Sequence, residues 1–181
     1  FITTWYNQDG SGNNATQAAA VSQPIIVSGG TLLTLSGVPR IDFDGTNDFL
    51  TIPTINFAAS NYQSFVGKRD ASGRRLFALA GANYQLALWN DNKFYLQANT
   101  SGYAPSIATD TTTSHLIITG QRDTGGTQRI YKNNVEVPTT FVSFTLGTGI
   151  NSIGRYANLN GLAPFCSIQE TIYYNTDESA N

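Results

Sequence analysis

The chain offers little for acid–base or nucleophilic chemistry. Its 181 residues include 12 carboxylates, one histidine and one cysteine. Only three acids cluster: Asp42, Asp44 and Asp48, in Ile41-Asp42-Phe43-Asp44-Gly45-Thr46-Asn47-Asp48-Phe49-Leu50-Thr51-Ile52. On a strand Asp42 and Asp44 share a face while Phe43 takes the other. Like-sided carboxylates can share a proton or a cation, so the trio is a candidate calcium site. The alternative is a turn at Asp44-Gly45 in which Asp48 accepts backbone amides. Calcium takes about six to eight oxygens; Asn47, or Asp9, Asn13 and Asn14 in an earlier loop, would add some, at a spacing unlike an EF-hand. Glycoside hydrolysis needs two carboxylates about 5–9.5 Å apart across one cleft, and beyond this trio no acids cluster. Cys166, in Phe165-Cys166-Ser167-Ile168, reads as a small buried hydrophobe. His115, on one face with Ile117, reads as a hydrogen-bonded structural residue. Neither a triad nor a zinc spacing is present.

Sugar recognition asks for an aromatic face to pack on pyranose C–H groups, with amides and carboxylates beside it for the hydroxyls. Trp89, Asn90, Asn92, Tyr95 and Tyr103, with Tyr84 and Asp91 among them, form the densest such mixture. Trp89 is the sharpest candidate because it abuts the Asn90–Asn92 turn. Tyr156, near Asn158 and Asn160, belongs to a second mixture. The alternative for Trp89 and Tyr95 is a core or cross-strand packing pair. Trp5 and Tyr6 read as core anchors for the loop that follows them.

The elements that must position these residues read as strands. Short apolar or alternating runs separated by turn residues dominate. Expected strands are Thr31–Leu35, Arg40–Phe43, Phe49–Pro53, Gln63–Lys68, Arg75–Leu79, Tyr84–Trp89, Lys93–Gln97, His115–Arg122, Gln128–Lys132, Val135–Val137, Ser152–Gly154 and Phe165–Tyr174. Asn133-Asn134 suits a type I′ hairpin turn, where both central residues need positive φ. Ser36-Gly37 and Asp123-Thr124-Gly125-Gly126 mark further turns. No stretch makes a convincing helix; Ala15 to Val21 is the best local candidate, ended by Pro24, and Asp177 reads as an N-cap near the end of the chain.

Charged residues make up only 12% of the chain and the net charge is −2. The surface must therefore be largely Thr, Ser, Asn, Gln and Gly. Lys68-Arg69 and Arg74-Arg75 are the only basic pairs, a weak basis for binding a phosphate backbone, so nucleic acid is not an expected partner. No apolar run approaches the roughly 18 residues of a membrane span. With 40% hydrophobic residues the sequence can fold as one domain over 1–181. Its start at Phe1 and its lack of Met lead us to expect a processed product or a piece of a longer protein.

Four segments, taken in order, resemble a known family. Trp5-Tyr6-Asn7-Gln8-Asp9-Gly10-Ser11-Gly12-Asn13-Asn14 resembles a W-Y-D-Q-S-G-N-G-N-D opening. Pro39 to Ile52 resembles a segment carrying F-D-G-x-D-D. Arg129-Ile130-Tyr131-Lys132-Asn133-Asn134-Val135 resembles a hairpin ending in N-G. Ile153-Gly154-Arg155, followed by Ser167-Ile168-Gln169-Glu170-Thr171-Ile172-Tyr173-Tyr174-Asn175, resembles the closing strands. These belong to concanavalin A-like (laminin-G-like) jelly-roll domains of secreted adhesins, polysaccharide enzymes and bacteriophage virion proteins. The resemblance implies an all-β, two-sheet antiparallel jelly-roll sandwich. The opening is also similar to the catalytic sandwich of a family of α-L-arabinofuranosidases. That likeness implies a nucleophilic Glu after a vicinal Cys-Cys pair and an Asp after the late strand. This chain has no vicinal cysteines, and Arg155-Tyr156-Ala157-Asn158 follows Ile153-Gly154.

The expected function is a noncatalytic carbohydrate-binding or adhesion module at a virion surface or outside the cell. Its partners would be a glycan or neighbouring virion or extracellular subunits. A structural decoration domain acting through protein contacts is one alternative, and an arabinofuranosidase-like hydrolase is another.

Overall fold

A computed structural model of the chain describes residues 1–56, 60–71, 76–81, 84–97, 103–140, 149–155 and 165–174. In chain order its strands are β1 (Thr4–Trp5), β2 (Ala15–Thr16), β3 (Val27–Ser28), β4 (Thr31–Leu32), β5 (Thr34–Leu35), β6 (Val38–Pro39), β7 (Ile41–Asp44), β8 (Leu50–Ile55) and β9 (Asn61–Arg69). There follow β10 (Leu76–Gly81), β11 (Tyr84–Leu88), β12 (Phe94–Gln97), β13 (Tyr103–Pro105), β14 (Leu116–Arg122), β15 (Gln128–Lys132), β16 (Val135–Val137), β17 (Ile150–Ile153) and β18 (Phe165–Tyr174). Eight strands form one sheet, in the order β1-β2-β8-β17-β10-β11-β12-β13, and six form the other, β16-β15-β14-β9-β18-β7. All their pairings are antiparallel. The expected two-sheet antiparallel sandwich is therefore the fold.

Alternation along the strands builds the core. Phe43, Phe65, Ile118 and Ile168 of the six-stranded sheet join one apolar cluster with Leu50, Leu86, Phe94 and Ile150 of the other. Burial of each such side chain contributes about 1.5–3 kcal/mol before the cost of ordering it. Cys166 is fully buried in the same cluster, as its apolar neighbours require. Gly154 marks a close approach. Its φ is +81°, and a Cβ there would run into the Phe43 ring.

The turns follow their chemistry. Asn133 and Asn134 have φ of 49° and 65°, as a type I′ turn demands, and Ser36 and Gly37 likewise have φ of 52° and 81°. The best helical candidate, Ala15 to Val21, forms no α-helix. Ala15 and Thr16 pair with Trp5 and Thr4, and Ala20–Ser22 makes a single 3-10 turn. Burial of Ala15 against the core overrides its helical propensity. The expected strand Thr31–Leu35 is two, because β4 pairs with β3 and β5 with β6; Leu33 between them donates its N–H to the Ile26 carbonyl and accepts the Arg40 N–H on its own carbonyl. The expected N-cap Asp177 lies outside the described residues.

Candidate functional site

The Trp89 hairpin lies between β11 and β12. Leu88 pairs with Phe94 and Ala87 with Tyr95. Leu86, Leu88, Phe94 and Leu96 point into the main core. Ala87 faces the other way, and Trp89 packs on it in a separate apolar cluster. The outer face of the eight-stranded sheet thus carries an aromatic pair. The Trp89 and Tyr95 rings lie 5.7 Å apart, tilted by 55°, and both are half-buried. Trp89 and Tyr95 thus make the alternative cross-strand packing pair, on the outer face and apart from the main core.

The turn itself is Asn90-Asp91-Asn92. Asn92 N–H donates to the Trp89 carbonyl at 3.0 Å, and Trp89 N–H donates to the Lys93 carbonyl at 2.9 Å. Asn92 has φ of 64°. This is a three-residue hairpin loop, a β-turn followed by a left-handed residue, and asparagine tolerates that conformation better than most side chains. Asp91 accepts the Lys93 N–H on one oxygen at 3.0 Å and the Tyr95 hydroxyl on the other at 2.7 Å. Asn90 and Asp91 are exposed at the tip.

Asn92 is turned inward. Its carboxamide oxygen accepts from Arg69 Nη1 at 2.7 Å. Arg69 also donates through Nε to the Thr112 carbonyl at 3.0 Å and through Nη2 to the Asp110 carbonyl. Asp110 in turn forms an ion pair with Lys132 and accepts the Thr112 N–H at 2.8 Å. Burial pushes the Asp110 carboxyl up, but the Lys132 and Thr112 contacts outweigh it and hold it below the ordinary value. The Lys68-Arg69 pair is no basic patch: Lys68 meets Asp70 at 3.1 Å, and Arg69 is fully buried.

Of the remaining sugar candidates, Tyr103 lies in β13, its backbone paired with Gln97 two rungs from the Tyr95–Pro105 pair. Its side chain and the whole of Tyr156 lie outside the described positions. Arg69, Asp110 and Lys93 join the hairpin although residue type alone did not single them out. Strand parity could have found Arg69, which shares the inward face of β9 with Asn61, Gln63 and Phe65.

The acidic trio makes a turn. Asp42 pairs side-on with Arg40, at 2.9 Å to Nε and 3.0 Å to Nη2. Asp44 accepts the N–H groups of Thr46 and Asn47, and Asp48 accepts that of Asp44 at 3.0 Å. Burial raises the Asp48 carboxyl above its ordinary value; the Asp44 N–H opposes this and the Asp44 charge adds to it. Among the described residues no three His, Cys, Asp or Glu side chains gather as metal ligands. Asp42 is directed at a guanidinium, and one oxygen each of Asp44 and Asp48 at turn amides. The Asn7–Asn14 loop is closed in the same manner: the N–H groups of residues 7, 9, 11 and 13 take side-chain oxygens of Asn14, Asn7, Asp9 and Ser11. The Ser11 hydrogen bonds hold Asp9 below its ordinary value.

Trp5 packs against the core as expected, while Tyr6 is 67% exposed, contrary to its reading as an anchor. A groove of about 440 Å³ runs beside them, lined by Ile26, Pro39, Arg40 and Gln169 among others. Two of its polar side chains are engaged: Arg40 with Asp42, and Gln169 with the Leu35 and Val38 carbonyls. His115 directly precedes β14, and no described helix is long and apolar enough to cross a membrane.

No protein-family model matches the chain, and no curated protein matches it. Several solved structures do. Domain 4 of AbnA, a GH43 extracellular arabinanase from Geobacillus stearothermophilus solved in complex with arabinotriose, is similar over 86% of this chain and 81% of its own, at 13% identity and a TM-score of 0.60. The binding domain of Paraclostridial Mosquitocidal Protein 1 is similar over 95% of this chain and 46% of its own, at 13% identity and a TM-score of 0.62. A native heptameric SAP-like pentraxin from Limulus polyphemus is similar over 77% of each chain, at 10% identity and a TM-score of 0.58. The chain spans about half the length of the mosquitocidal and botulinum neurotoxin domains that it matches. At these identities the likeness is one of fold, and that fold is an antiparallel β-sandwich.

Proposed function

We propose that this chain is a noncatalytic carbohydrate-binding module of the concanavalin A-like kind, attaching a larger extracellular or virion protein to surface glycans. The carrying observation is the tilted Trp89–Tyr95 pair on the outer face, with the exposed Asn90 carboxamide at its edge. Aromatic rings there can pack on sugar C–H groups, and the amide and the Asp91 carboxylate can meet hydroxyls. The arabinotriose complex of AbnA domain 4 and the receptor-binding role named for botulinum neurotoxin D support a binding role on this fold.

The carboxylates support the noncatalytic half. Of the 12 acidic residues only Asp177 and Glu178 lie outside the described ones. Asp42, Asp70, Asp110 and Asp123 pair with Arg40, Lys68, Lys132 and Arg129. Asp9, Asp44, Asp48 and Asp91 bond to their own turns. Glu136 and Glu170, the other two described acids, are exposed on strands. The engagement of the other eight supports a reading without an acid catalyst and a second carboxylate across one cleft.

A glycan array probed with the wild type, Trp89→Ala and Asn90→Ala tests the reading. Binding by the wild type that is lost in Trp89→Ala is the expected result. Binding unchanged in both variants removes the site from this hairpin, and no binding by the wild type favours the decoration reading. Release of p-nitrophenol from an arabinofuranoside would overturn the noncatalytic assignment.

A further inference from the structure

We infer that Arg69 is a positioning residue for this platform: acting through Asn92, it holds the hairpin tip in the conformation that presents Trp89 and Asn90. The functional meaning rests on the sugar-binding reading; the geometry stands without it. Arg69 ends β9 on the opposite sheet and is fully buried. A buried guanidinium must satisfy its donors, and a planar fork does so in fixed directions. Here the three acceptors belong to two loops: Asn92 Oδ1 in the hairpin, and the Thr112 and Asp110 carbonyls in the crossing from β13 to β14. The Asp110 N–H returns to the Asn92 carbonyl at 2.5 Å, so Asn92 is gripped on both its side chain and its backbone. The crossing is anchored in its turn. Asp110 pairs with Lys132 of β15, Ser106 N–H donates to the Phe94 carbonyl, and Ile107 N–H to the Pro138 carbonyl.

The grip falls at the one left-handed residue of the turn, which decides where Asn90 and Asp91 point. A tip fixed before the ligand arrives need not be ordered at binding, and each rotamer-rich side chain ordered then weakens affinity by about two- to tenfold. Lysine at position 69 could not replace the brace. It offers a compact ammonium in place of a fork reaching three acceptors.

The test uses the whole chain in a Trp5→Phe background, which leaves Trp89 as the sole tryptophan of the two present. Asn92→Gly keeps the positive φ and removes the acceptor. Asn92→Asp keeps an acceptor for the guanidinium. Arg69→Lys removes the fork, and Ile168→Val is a control that lowers stability from the core. Two readouts are taken: time-resolved anisotropy of Trp89 and calorimetric affinity for arabinotriose. We expect Asn92→Gly and Arg69→Lys to increase fast Trp89 motion and weaken arabinotriose binding by about three- to tenfold. Asn92→Asp should match the parent, and Ile168→Val should change melting temperature alone. Unchanged Trp89 anisotropy in folded Asn92→Gly overturns the inference, as does an equal change in Ile168→Val. Should Arg69→Lys fail to fold, Asn92→Gly still decides. The expected anisotropy pattern in a chain that binds no arabinotriose upholds the brace and counts against the sugar reading alone.

Discussion

The Asp44–Asp48 turn after β7 and the Asn90–Asn92 turn after β11 are made from the same residue types and use them differently. In the first, the carboxylates of Asp44 and Asp48 accept amides of their own turn, and Asp42 beside it takes Arg40. In the second, the turn is gripped from beneath by Arg69, which leaves Asn90 and Asp91 outward beside an aromatic pair. A dense run of Asp and Asn therefore does not mark a site by itself. What matters is which groups take up the oxygens. The inward brace leaves Asn90 outward at the tip, while Asp91 is taken up by the Lys93 N–H and the Tyr95 hydroxyl; the self-closed turn engages both Asp44 and Asp48.

The largest separation of the two turns should come from Arg69→Met. Losing three hydrogen bonds from one buried cation should cost about 3 kcal/mol in denaturant unfolding, while Asp48→Asn costs nothing. A loss below about 1 kcal/mol would mean the brace is not needed. Next comes binding. Trp89→Ala should weaken glycan affinity by about 2 kcal/mol, roughly 30-fold, in calorimetry. Tyr6→Ala, which removes an exposed aromatic beside the self-closed Asn7–Asn14 loop, should leave it unchanged; equal losses would erase the distinction.

The two regions also carry opposite pH signatures. Asp110 in the brace is held below its ordinary 3.8, so its contribution is complete above that value and lost as pH falls through its folded-state value. Asp110→Asn should cost about 1 kcal/mol at pH 7, with the difference from wild type shrinking in melts below pH 3.8. Asp48 is raised above 3.8, so the folded form favours its proton and stability falls as pH climbs from 3.8 through the folded-state value. Asp48→Asn should therefore melt about 2 °C higher at neutral pH, a gain that disappears on acidification. Slopes of the same sign in the two variants would contradict the assignment. The smallest effect is calcium: millimolar additions should leave the melting temperature where it was, and a rise would return the trio to consideration as ligands.

The fold was legible where alternation ran long. Gln128–Lys132, Val135–Val137 and Phe165–Tyr174 form as the pattern predicts, and the Asn133-Asn134 turn takes its expected conformation. Two-residue strands such as Thr4–Trp5 and Ala15–Thr16 carry no period to read, because tertiary pairing alone makes them strands. The aromatic pair of the candidate site was legible, since Trp89 and Tyr95 flank a turn. Its support was not. Arg69 and Asn92 are 23 residues apart, and nothing local in either stretch announces their bond. Arg69 beside Lys68 looks like surface charge until the inward parity of β9 is followed.

The position of β18 in the six-stranded sheet has a consequence for synthesis. The strand lies between β9 and β7, pairing with both, although it is the last of the described strands to leave the ribosome. Until then the facing edges of β7 and β9 have no neighbour, and a nascent chain arrested before Phe165 presents bare backbone to whatever strand it meets. Closure must wait for contacts between distant parts of the sequence, and non-local pairing slows folding. Chaperone dependence during translation should therefore peak over the stretch between the emergence of β9 and that of β18.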